Sequence, residues 1–379
     1  MRDEEINILN EPYTTPNEGL DRRFESAIGA DIPSAGQLVV EILDDLDEQT
    51  FGISWWSSVP VEERILIGDY LYQCAEGIEK NLIEAKLHYW EWIDARKRMD
   101  DLIVDSVKVD SQGRLYQKFP PAKSAMDELP FKVEGMHICG FFQAIGSSLD
   151  CLGGVIIGVL GLKSSLRKND ILSARRTLQA LKAPQTGGET LQIGFRDFLN
   201  SAIESSGPKD WLEWCDQYRN VFVHRGRRFT SNQTHRREGL LYDAKGEEIL
   251  RARSTLHLAK HPDKSDAEAL VKKDMVLNED GDVTFKGIFK SCRDLNEAIC
   301  ERLLSVWTER RSNPSLIEQP ASQWDTKIRD CMFTGYDVNA EPHGSNLMTS
   351  HPILRHRLLA ASADDAHHAA VWQNSPWNK

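Results

Sequence analysis

The sequence lacks the cysteine patterns that mark a disulfide framework or a zinc site. Its seven cysteines are odd in number, and none form a Cys-x-x-Cys pair. Most of them lie in apolar segments with helical spacing, where a thiol serves as a small buried side chain. We therefore expect a protein of a reducing compartment, the cytoplasm.

Positive charge is scarce when the whole chain is counted. The 46 Lys and Arg residues are outnumbered by 58 Asp and Glu residues, which gives a formal net charge of −12. This average excludes a uniformly basic surface, but a local basic site remains open because binding depends on the charge distribution. The acidic residues 1–5 have no apolar segment behind them, so we expect no signal peptide.

Two common catalytic devices are also missing from the sequence. The adjacent Gly153 and Gly154 have neither the preceding strand nor the following lysine of a phosphate-binding loop. No group of carboxylates has the pattern of a two-metal site. We therefore expect neither a metal nor a cofactor, and any chemistry has to come from protein side chains.

Long hydrophobic runs are limited to residues 138–162. This segment is long enough to cross a bilayer. However, Gln143, Ser147 and Asp150 lie near its middle, and a central Asp costs about 2.5–3.5 kcal/mol on insertion scales. The apolar run that follows Asp150 is too short to cross alone. We interpret the segment as a buried core helix, with membrane association as the weaker alternative.

Helical periodicity dominates what the sequence does contain. The predicted helices cover about 36–46, 60–104, 134–163, 169–182, 189–206, 210–225 and 289–311. A small hairpin is predicted at 107–117, and short strands are predicted at 240–242, 254–259, 275–277 and 283–285. The prediction is a mainly α protein with an N-terminal helical region (1–133), a helical domain (134–312) and a partly irregular C-terminal extension (313–379). The helical domain contains a β-containing insertion at about 227–286.

One face of the predicted helix 134–163 carries a stripe of small side chains. Its members are Gly140, Ala144, Ser147, Cys151, Gly154, Gly158 and Gly161. A glycine inside a helix costs about 1 kcal/mol relative to alanine, so close approach to another helix has to compensate. That helix lies either in the same chain or in a second copy. Asp150, beside the stripe, needs a partner, most naturally a cation.

The strongest local pattern ends the predicted helix 210–225. Asp210 followed by Glu213 resembles a capping box that fixes the start of this helix. Asn220 and His224 are four residues apart and share a face. Arg219 lies about 140° from His224 on an ideal helix. It can reach the same site through its long side chain, through distortion of the helix end, or from a partner subunit.

Basic residues concentrate immediately after this helix. Residues 219–237 contain no Asp or Glu and six arginines: Arg219, Arg225, Arg227, Arg228, Arg236 and Arg237. Because guanidinium groups match the geometry of phosphate oxygens, this segment is a candidate anion site. The alternative is a solvated basic turn, since cations are favourable at a helix C-terminus.

The residues from Arg219 to His224 resemble the R-N-x-x-x-H signature of the HEPN superfamily, and helical neighbours on both sides extend the similarity over about 134–312. The resemblance implies a helical bundle that dimerises, so that two signatures share one cleft. Many HEPN proteins are metal-independent endoribonucleases of toxin–antitoxin, CRISPR-linked or anti-phage systems. The resemblance also implies a supporting polar residue from an earlier helix, for which Asp150 and Ser147 are the candidates.

Roles follow from the resemblance for the three signature residues. His224 would transfer a proton involving the ribose 2′-hydroxyl or the leaving oxygen, Arg219 would hold the scissile phosphate, and Asn220 would position one of these groups. The side-chain chemistry fits these roles, because histidine titrates near neutral pH and arginine keeps its charge and its donors. An ordinary helix-end histidine is the alternative for His224.

The sequence therefore predicts a homodimeric, cytoplasmic endoribonuclease that acts on RNA in growth arrest or defence, with an antitoxin or defence-system protein as a further partner. The arginines from Arg225 to Arg228, with Arg236 and Arg237, would guide the RNA backbone. The alternative is a non-catalytic HEPN-type module that binds RNA, a nucleotide or a protein. The RNA target, the cut site and the roles of the two terminal regions do not follow from the residues.

Overall fold

The computed structural model describes residues 32–47, 52–109, 115–117, 129–166, 170–224, 232–242, 248–264, 271, 276–316 and 336. Seven α-helices lie in these residues: α1 (Pro33–Asp44), α2 (Val61–Ser106), α3 (Leu129–Leu160), α4 (Ile171–Gln179), α5 (Gly187–Ser206), α6 (Trp211–His224) and α7 (Gly281–Ser312). Two antiparallel hairpins accompany them, β1 (Val107–Val109) with β2 (Leu115–Gln117) and β3 (Asn232–Tyr242) with β4 (Glu248–His257). The predicted mainly α class is confirmed.

The predicted strand at 283–285 is wrong, because these residues belong to α7. Helix α7 begins at Gly281, well before the predicted start at 289. Phe285, Phe289 and Cys292 are buried along one side of this helix, whereas Val283 is 55% exposed. Three residues that alternate between apolar and polar are too few to distinguish a strand from the first turn of a helix.

The end of α3 differs from the predicted boundary at 163. The last helical residue is Leu160, and Gly161 has a φ of 59°. The amide of Leu162 donates to the carbonyl of Ile157 at 3.0 Å, which is the six-to-one hydrogen bond of a Schellman motif. Gly161 therefore terminates the helix and does not extend the small-residue stripe.

The glycines of the stripe allow close contact with α2 inside the same chain. A Cβ added at Gly154 would lie 2.8 Å from Cys74 Sγ, and one added at Gly158 would lie 2.9 Å from Leu71 Cδ1. Both distances are too short for real side chains, so a larger residue at either position has to displace a buried side chain of α2. Helix–helix approach within one chain is confirmed as the reason for these two glycines.

Helix α3 also contains the segment considered for membrane insertion. Residues Lys132–Leu160 are long and apolar enough to cross a membrane, but 78% of the most apolar window is buried inside the protein. Five of the six described cysteines are likewise buried free thiols. The core-helix interpretation fits this burial, which is compatible with a soluble protein.

The described residues divide into two compact units that do not follow sequence order. The first draws on 79–148 and 203–295, and the second draws on 32–78, 149–202 and 296–316, with the gaps given above. Each unit therefore combines segments from before and after residue 133. The three-region division of the sequence stays a prediction.

Aromatic rings from four helices form the core of the first unit. Phe142 of α3 stacks on Tyr218 of α6, with ring centroids 4.7 Å apart and planes 14° apart. Phe285 of α7 lies 5.7 Å from Phe142 and 4.6 Å from Trp92 of α2. Such aromatic pairs add about 0.5–1.5 kcal/mol each beyond the area they bury. This cluster holds α6 against α3.

The core of the second unit is built around the C-terminal half of α7. Trp307 donates its indole N–H to the Asp45 carboxylate at 2.6 Å. Arg310 is fully buried, and its guanidinium donates to the carbonyl oxygens of Gly158 and Val159 at the end of α3. Burial lowers the pKa of Arg310 to about 9. The arginine thus satisfies carbonyls that the last turn of a helix leaves without helical donors.

Candidate functional site

Helix α6, which carries the R-N-x-x-x-H residues, is fixed on two sides. Its Tyr218 stacks on Phe142 of α3, and the Tyr218 hydroxyl accepts a hydrogen bond from the amide of Ala259. The indole of Trp214 donates to the Ala259 carbonyl at 3.2 Å. Burial raises the pKa of Tyr218, so its hydroxyl stays neutral in this contact. These contacts hold α6 against α3 and against the segment at Ala259.

The start of α6 agrees with the prediction in position. The helix begins at Trp211, directly after Asp210, and the amide of Trp214 donates to the Asp210 carbonyl at 3.0 Å. Asp210 has a φ of 64°, in the left-handed region. A usual N-cap residue is extended, so the start of this helix departs from the common capping geometry.

Arg219 lies on the flank of α6 that faces α3. Its side chain is half-buried and crosses Gly146. A Cβ at position 146 would overlap Arg219 Cδ and would lie 2.9 Å from Nε. The aliphatic part and Nε of Arg219 therefore lie against α3, one helical turn beyond Phe142, which stacks on Tyr218.

Asn220 occupies a different side of α6. Its side chain is exposed, and its amide donates to the Asp216 carboxylate at 2.9 Å, one turn earlier on the same helix. Val223 beside it is 50% exposed. The structure thus gives Arg219 and Asn220 different neighbours, although they are adjacent in sequence.

His224 is the last residue of α6, and the structure describes its backbone position. It lies one turn after Asn220 and about 140° around an ideal helix from Arg219. The side chain of Arg219 packs on Gly146 of α3. That Arg219 and His224 meet across two subunits stays a prediction.

The two candidate supporting residues lie on α3. Ser147 is half-buried and directly follows Gly146, so it is next in sequence to the residue that Arg219 crosses. Asp150 is half-buried in the part of α3 that belongs to the second unit. The pKa of Cys74 there is raised by a hydrogen bond to Cys151 and by burial, with a smaller effect from the charge of Asp150. Support of Arg219 by Asp150 stays a prediction.

The basic segment after α6 is described in part. Arg225, Arg227 and Arg228 lie outside the described residues, whereas Arg236 and Arg237 are on β3. The register pairs Arg236 with Arg253 of β4, and Arg237 with Ala252. Like charges at directly opposed positions destabilise an antiparallel pair unless an anion or solvent compensates.

Charge is distributed unevenly along this hairpin. We define its basic end as 232–237 with 251–257, which contains four arginines and no acidic residue: Arg236, Arg237, Arg251 and Arg253. The remaining residues, 238–250, contain four acidic residues and one lysine: Glu238, Asp243, Glu247, Glu248 and Lys245. In the chain, the basic end is the end connected to α6.

The basic end is attached to the segment that precedes α7. At the end of β4, His257 Nδ1 lies 3.1 Å from the carbonyl oxygen of Leu277 and 3.0 Å from that of Glu279. Both oxygens are acceptors, so Nδ1 carries the proton. An isolated bridge between Ala259 and Val276 continues the attachment. The predicted strand at 275–277 is reduced to this bridge in the described residues.

Sequence reasoning missed three residues of this site, namely Gly146, Arg251 and Arg253. Gly146 directly precedes Ser147 of the small-residue stripe and so lies on a neighbouring face of α3. A glycine there is the signal that a second face of the helix is approached closely. Arg251 and Arg253 lie outside the 219–237 run. The register of the hairpin pairs Arg253 with Arg236, and Arg251 lies between the paired residues Ala252 and Leu250. Among the described residues, no group of three or more His, Cys, Asp or Glu side chains is arranged to hold a metal ion.

Comparison with protein-family models, with curated proteins and with solved structures finds no match to this chain.

Proposed function

We propose that this protein is a metal-independent endoribonuclease of the HEPN type, active as a homodimer in growth arrest or anti-phage defence. The observation that supports it best is the placement of Arg219, which is held against α3 five residues before a histidine that ends the same helix. The basic end of the β3–β4 hairpin follows in the chain and provides a surface for RNA phosphates.

The reaction needs one phosphate binder and one group that moves protons. The ribose 2′-oxygen attacks phosphorus, the bond from phosphorus to the 5′-oxygen breaks, and the products carry a 2′,3′-cyclic phosphate and a 5′-hydroxyl. His224 takes the 2′-hydroxyl proton or gives a proton to the leaving oxygen, since an imidazole does either near neutral pH. Arg219 donates hydrogen bonds to the charge that grows on the phosphate oxygens. Asn220 orients the ribose or the phosphate.

Two copies of the chain complete this arrangement. Arg219 packs on Gly146 of α3, and Asn220 is on the exposed side of α6, one turn before His224. A two-fold axis beside α6 brings Arg219 of one subunit toward His224 of its partner, because an isologous interface presents the same surface from both sides. Within one chain, Arg219 and His224 lie about 140° apart on an ideal helix, which makes it harder for them to reach one phosphate.

The test is cleavage of a labelled RNA pool in EDTA by the wild type, His224→Ala and Arg219→Ala. We expect the wild type to leave 2′,3′-cyclic phosphate ends and each variant to lose activity by about 100-fold or more. His261→Ala and Arg196→Ala are matched controls, since both residues lie outside the site, and they should cleave like the wild type. Retained cleavage by His224→Ala would contradict the assigned site.

A second candidate is a non-catalytic module that binds RNA, a nucleotide or a protein. It is favoured by the hydrogen bond of Asn220 to Asp216 and by the packing of Arg219 on Gly146, which are contacts of a structural kind. RNA bound by all variants and cleaved by none, in a correctly folded wild type, would replace the enzyme with this module. A nuclease that requires an activator would gain cleavage on addition of cell extract, and His224→Ala would not.

A further inference from the structure

We infer that Gly146 is a positioning residue of the site, because its missing side chain allows Arg219 to lie along α3 and so determines where the guanidinium meets a phosphate. The effect of Gly146 on catalysis rests on the proposed ribonuclease function. The placement of Arg219 itself does not depend on that function. Neither the small-residue stripe nor the signature includes Gly146.

The interface between α3 and α6 shows why position 146 matters. Phe142 and Gly146 are one helical turn apart on α3 and face α6 together. Phe142 fills its part of the interface by stacking on Tyr218. At Gly146 the corresponding volume is taken by the aliphatic part and Nε of Arg219 instead. The aromatic stack fixes the helices, and the glycine leaves a channel for one arginine between them.

The contact distances predict what an added methyl group would move. A Cβ at Gly146 would overlap Cδ of Arg219, and it would lie 2.9 Å from Nε and 3.1 Å from Cγ. All three atoms belong to a long, flexible side chain. Alanine at 146 is therefore accommodated by displacement of Arg219, while the helices stay in place.

Other glycines of α3 respond to different neighbours. At Gly153 the nearest atoms belong to the backbone of Asp170 and Ile171, and at Gly154 the nearest atom is Cys74 Sγ. Substitution at Gly153 meets backbone atoms, and substitution at Gly154 has to displace a buried side chain. Gly287, on α7 in the same unit as Gly146, has nothing within 4 Å of an added Cβ. Gly287→Ala is thus a matched control, with the same gain in helix propensity and no contact with an arginine.

The experiment first measures the placement of Arg219 directly. Protein labelled with 15N-arginine gives Nε–H resonances, and Arg219→Lys identifies the resonance of Arg219 by its loss. We expect Gly146→Ala to shift or broaden this resonance, while Gly287→Ala leaves it in place and both variants unfold at or above the wild-type temperature. An unchanged Arg219 resonance in Gly146→Ala would overturn the inference, whether or not the protein cleaves RNA.

Cleavage provides the second measurement. We expect Gly146→Ala to cleave about 10- to 100-fold more slowly than the wild type, as misplacement of a catalytic group by about 1 Å does. In the Arg219→Ala background the same substitution should have no further effect, because the two residues act as one unit. A further loss there would show a role other than positioning and overturn the inference. Absent cleavage by the wild type would refute the proposed function alone, and the resonance test would still decide the role of Gly146.

Discussion

Individual residues in the first unit show that a glycine on α3 serves to admit a polar side chain as well as a neighbouring helix. Gly140 is the clearest case outside the candidate site. A Cβ there would overlap the imidazole of His88 from α2. His88 Nδ1 in turn lies 3.0 Å from Nδ1 of His137, three residues before Gly140. One proton fits between these two nitrogens, so the contact needs at least one neutral ring with a free lone pair.

This histidine pair predicts a loss of stability at acidic pH. Burial, and then the charge of His88, lower the pKa of His137 from its usual 6.5. The charge of Glu91 opposes this shift, and the charge of Arg98 adds to it. On the other side of the pair, Glu84 lies 3.7 Å from His88 Nε2. Because the folded-state pKa is below the unfolded value, the unfolded chain binds the extra proton. The stabilisation is complete above about pH 6.5 and is lost as the pH falls through the folded-state pKa.

The measurement is the free energy of unfolding by urea at pH 7.5, 6.5 and 5.5 for the wild type and His137→Gln. We expect the wild type to lose more stability than the variant over this range, since glutamine keeps a neutral polar group at 137. His261→Gln serves as the control, with the pH dependence of the wild type. Equal slopes for the wild type and His137→Gln would show that the pair does not couple folding to protons.

The candidate site shows what a sequence indicates about single residues. The signature and its position at a helix end were readable, because they depend on neighbouring residues in the chain. The contact between Arg219 and Gly146 joins residues 73 positions apart, and no local pattern encodes it. The residues of the motif could therefore be predicted from the sequence, whereas Gly146, which contacts one of them, could not.

At the scale of elements, long periodic helices were predicted well and short strands poorly. Helices α1, α5 and α6 begin within about three residues of their predicted starts, because apolar spacing and capping residues are local signals. The hairpin at 107–117 was also confirmed. The β3–β4 hairpin is longer than the predicted strands at 240–242 and 254–259, since its register is set by pairing between distant residues.

The hairpin carries a prediction of its own for RNA binding. If its basic end contacts RNA phosphates, replacing Arg236 and Arg253 with serine removes two cations from the interface. The slope of log affinity against log salt concentration should then become less steep by about 1.4 for a single-stranded RNA. Fluorescence anisotropy with a labelled, uncleavable RNA at several salt concentrations measures this slope.

The control removes the same charge elsewhere. Arg176→Ser together with Arg196→Ser changes two arginines on α4 and α5 of the second unit, and we expect it to leave the slope unchanged. Equal effects of the two double variants would mean that only net charge matters. An unchanged slope in the hairpin variant would exclude the basic end as the RNA contact. The arginines from Arg225 to Arg228, which the sequence also predicts to bind RNA, would then be the next to replace.

At the scale of the whole molecule, the chain is organised by contacts between distant segments. Helices α2, α3 and α7 each contribute residues to both compact units, so no single cut in the sequence separates them. Proline-rich stretches such as 120–121 predict a boundary in the sequence. Local composition does not show that a long helix contributes residues to two units. The signature helix α6 belongs entirely to the first unit.

The proposed composite site predicts complementation between two variants that we expect to be inactive. Arg219→Ala keeps His224, and His224→Ala keeps Arg219, so a mixed dimer contains one intact pair only if the two residues act across the interface. Because Arg219 packs on Gly146 and His224 lies about 140° away from it on an ideal helix, we expect action across the interface. Equal amounts of both variants, after subunit exchange, should recover about a quarter of wild-type cleavage, since about half of the dimers are mixed and each restores one of two sites.

Differently tagged variants make the result decisive. Copurification of both tags confirms that subunits have exchanged, and the unexchanged mixture should stay inactive. Exchange without recovered cleavage would place Arg219 and His224 of the same chain in one site. Gly146→Ala misplaces Arg219 in either arrangement, so complementation is the measurement that separates the two.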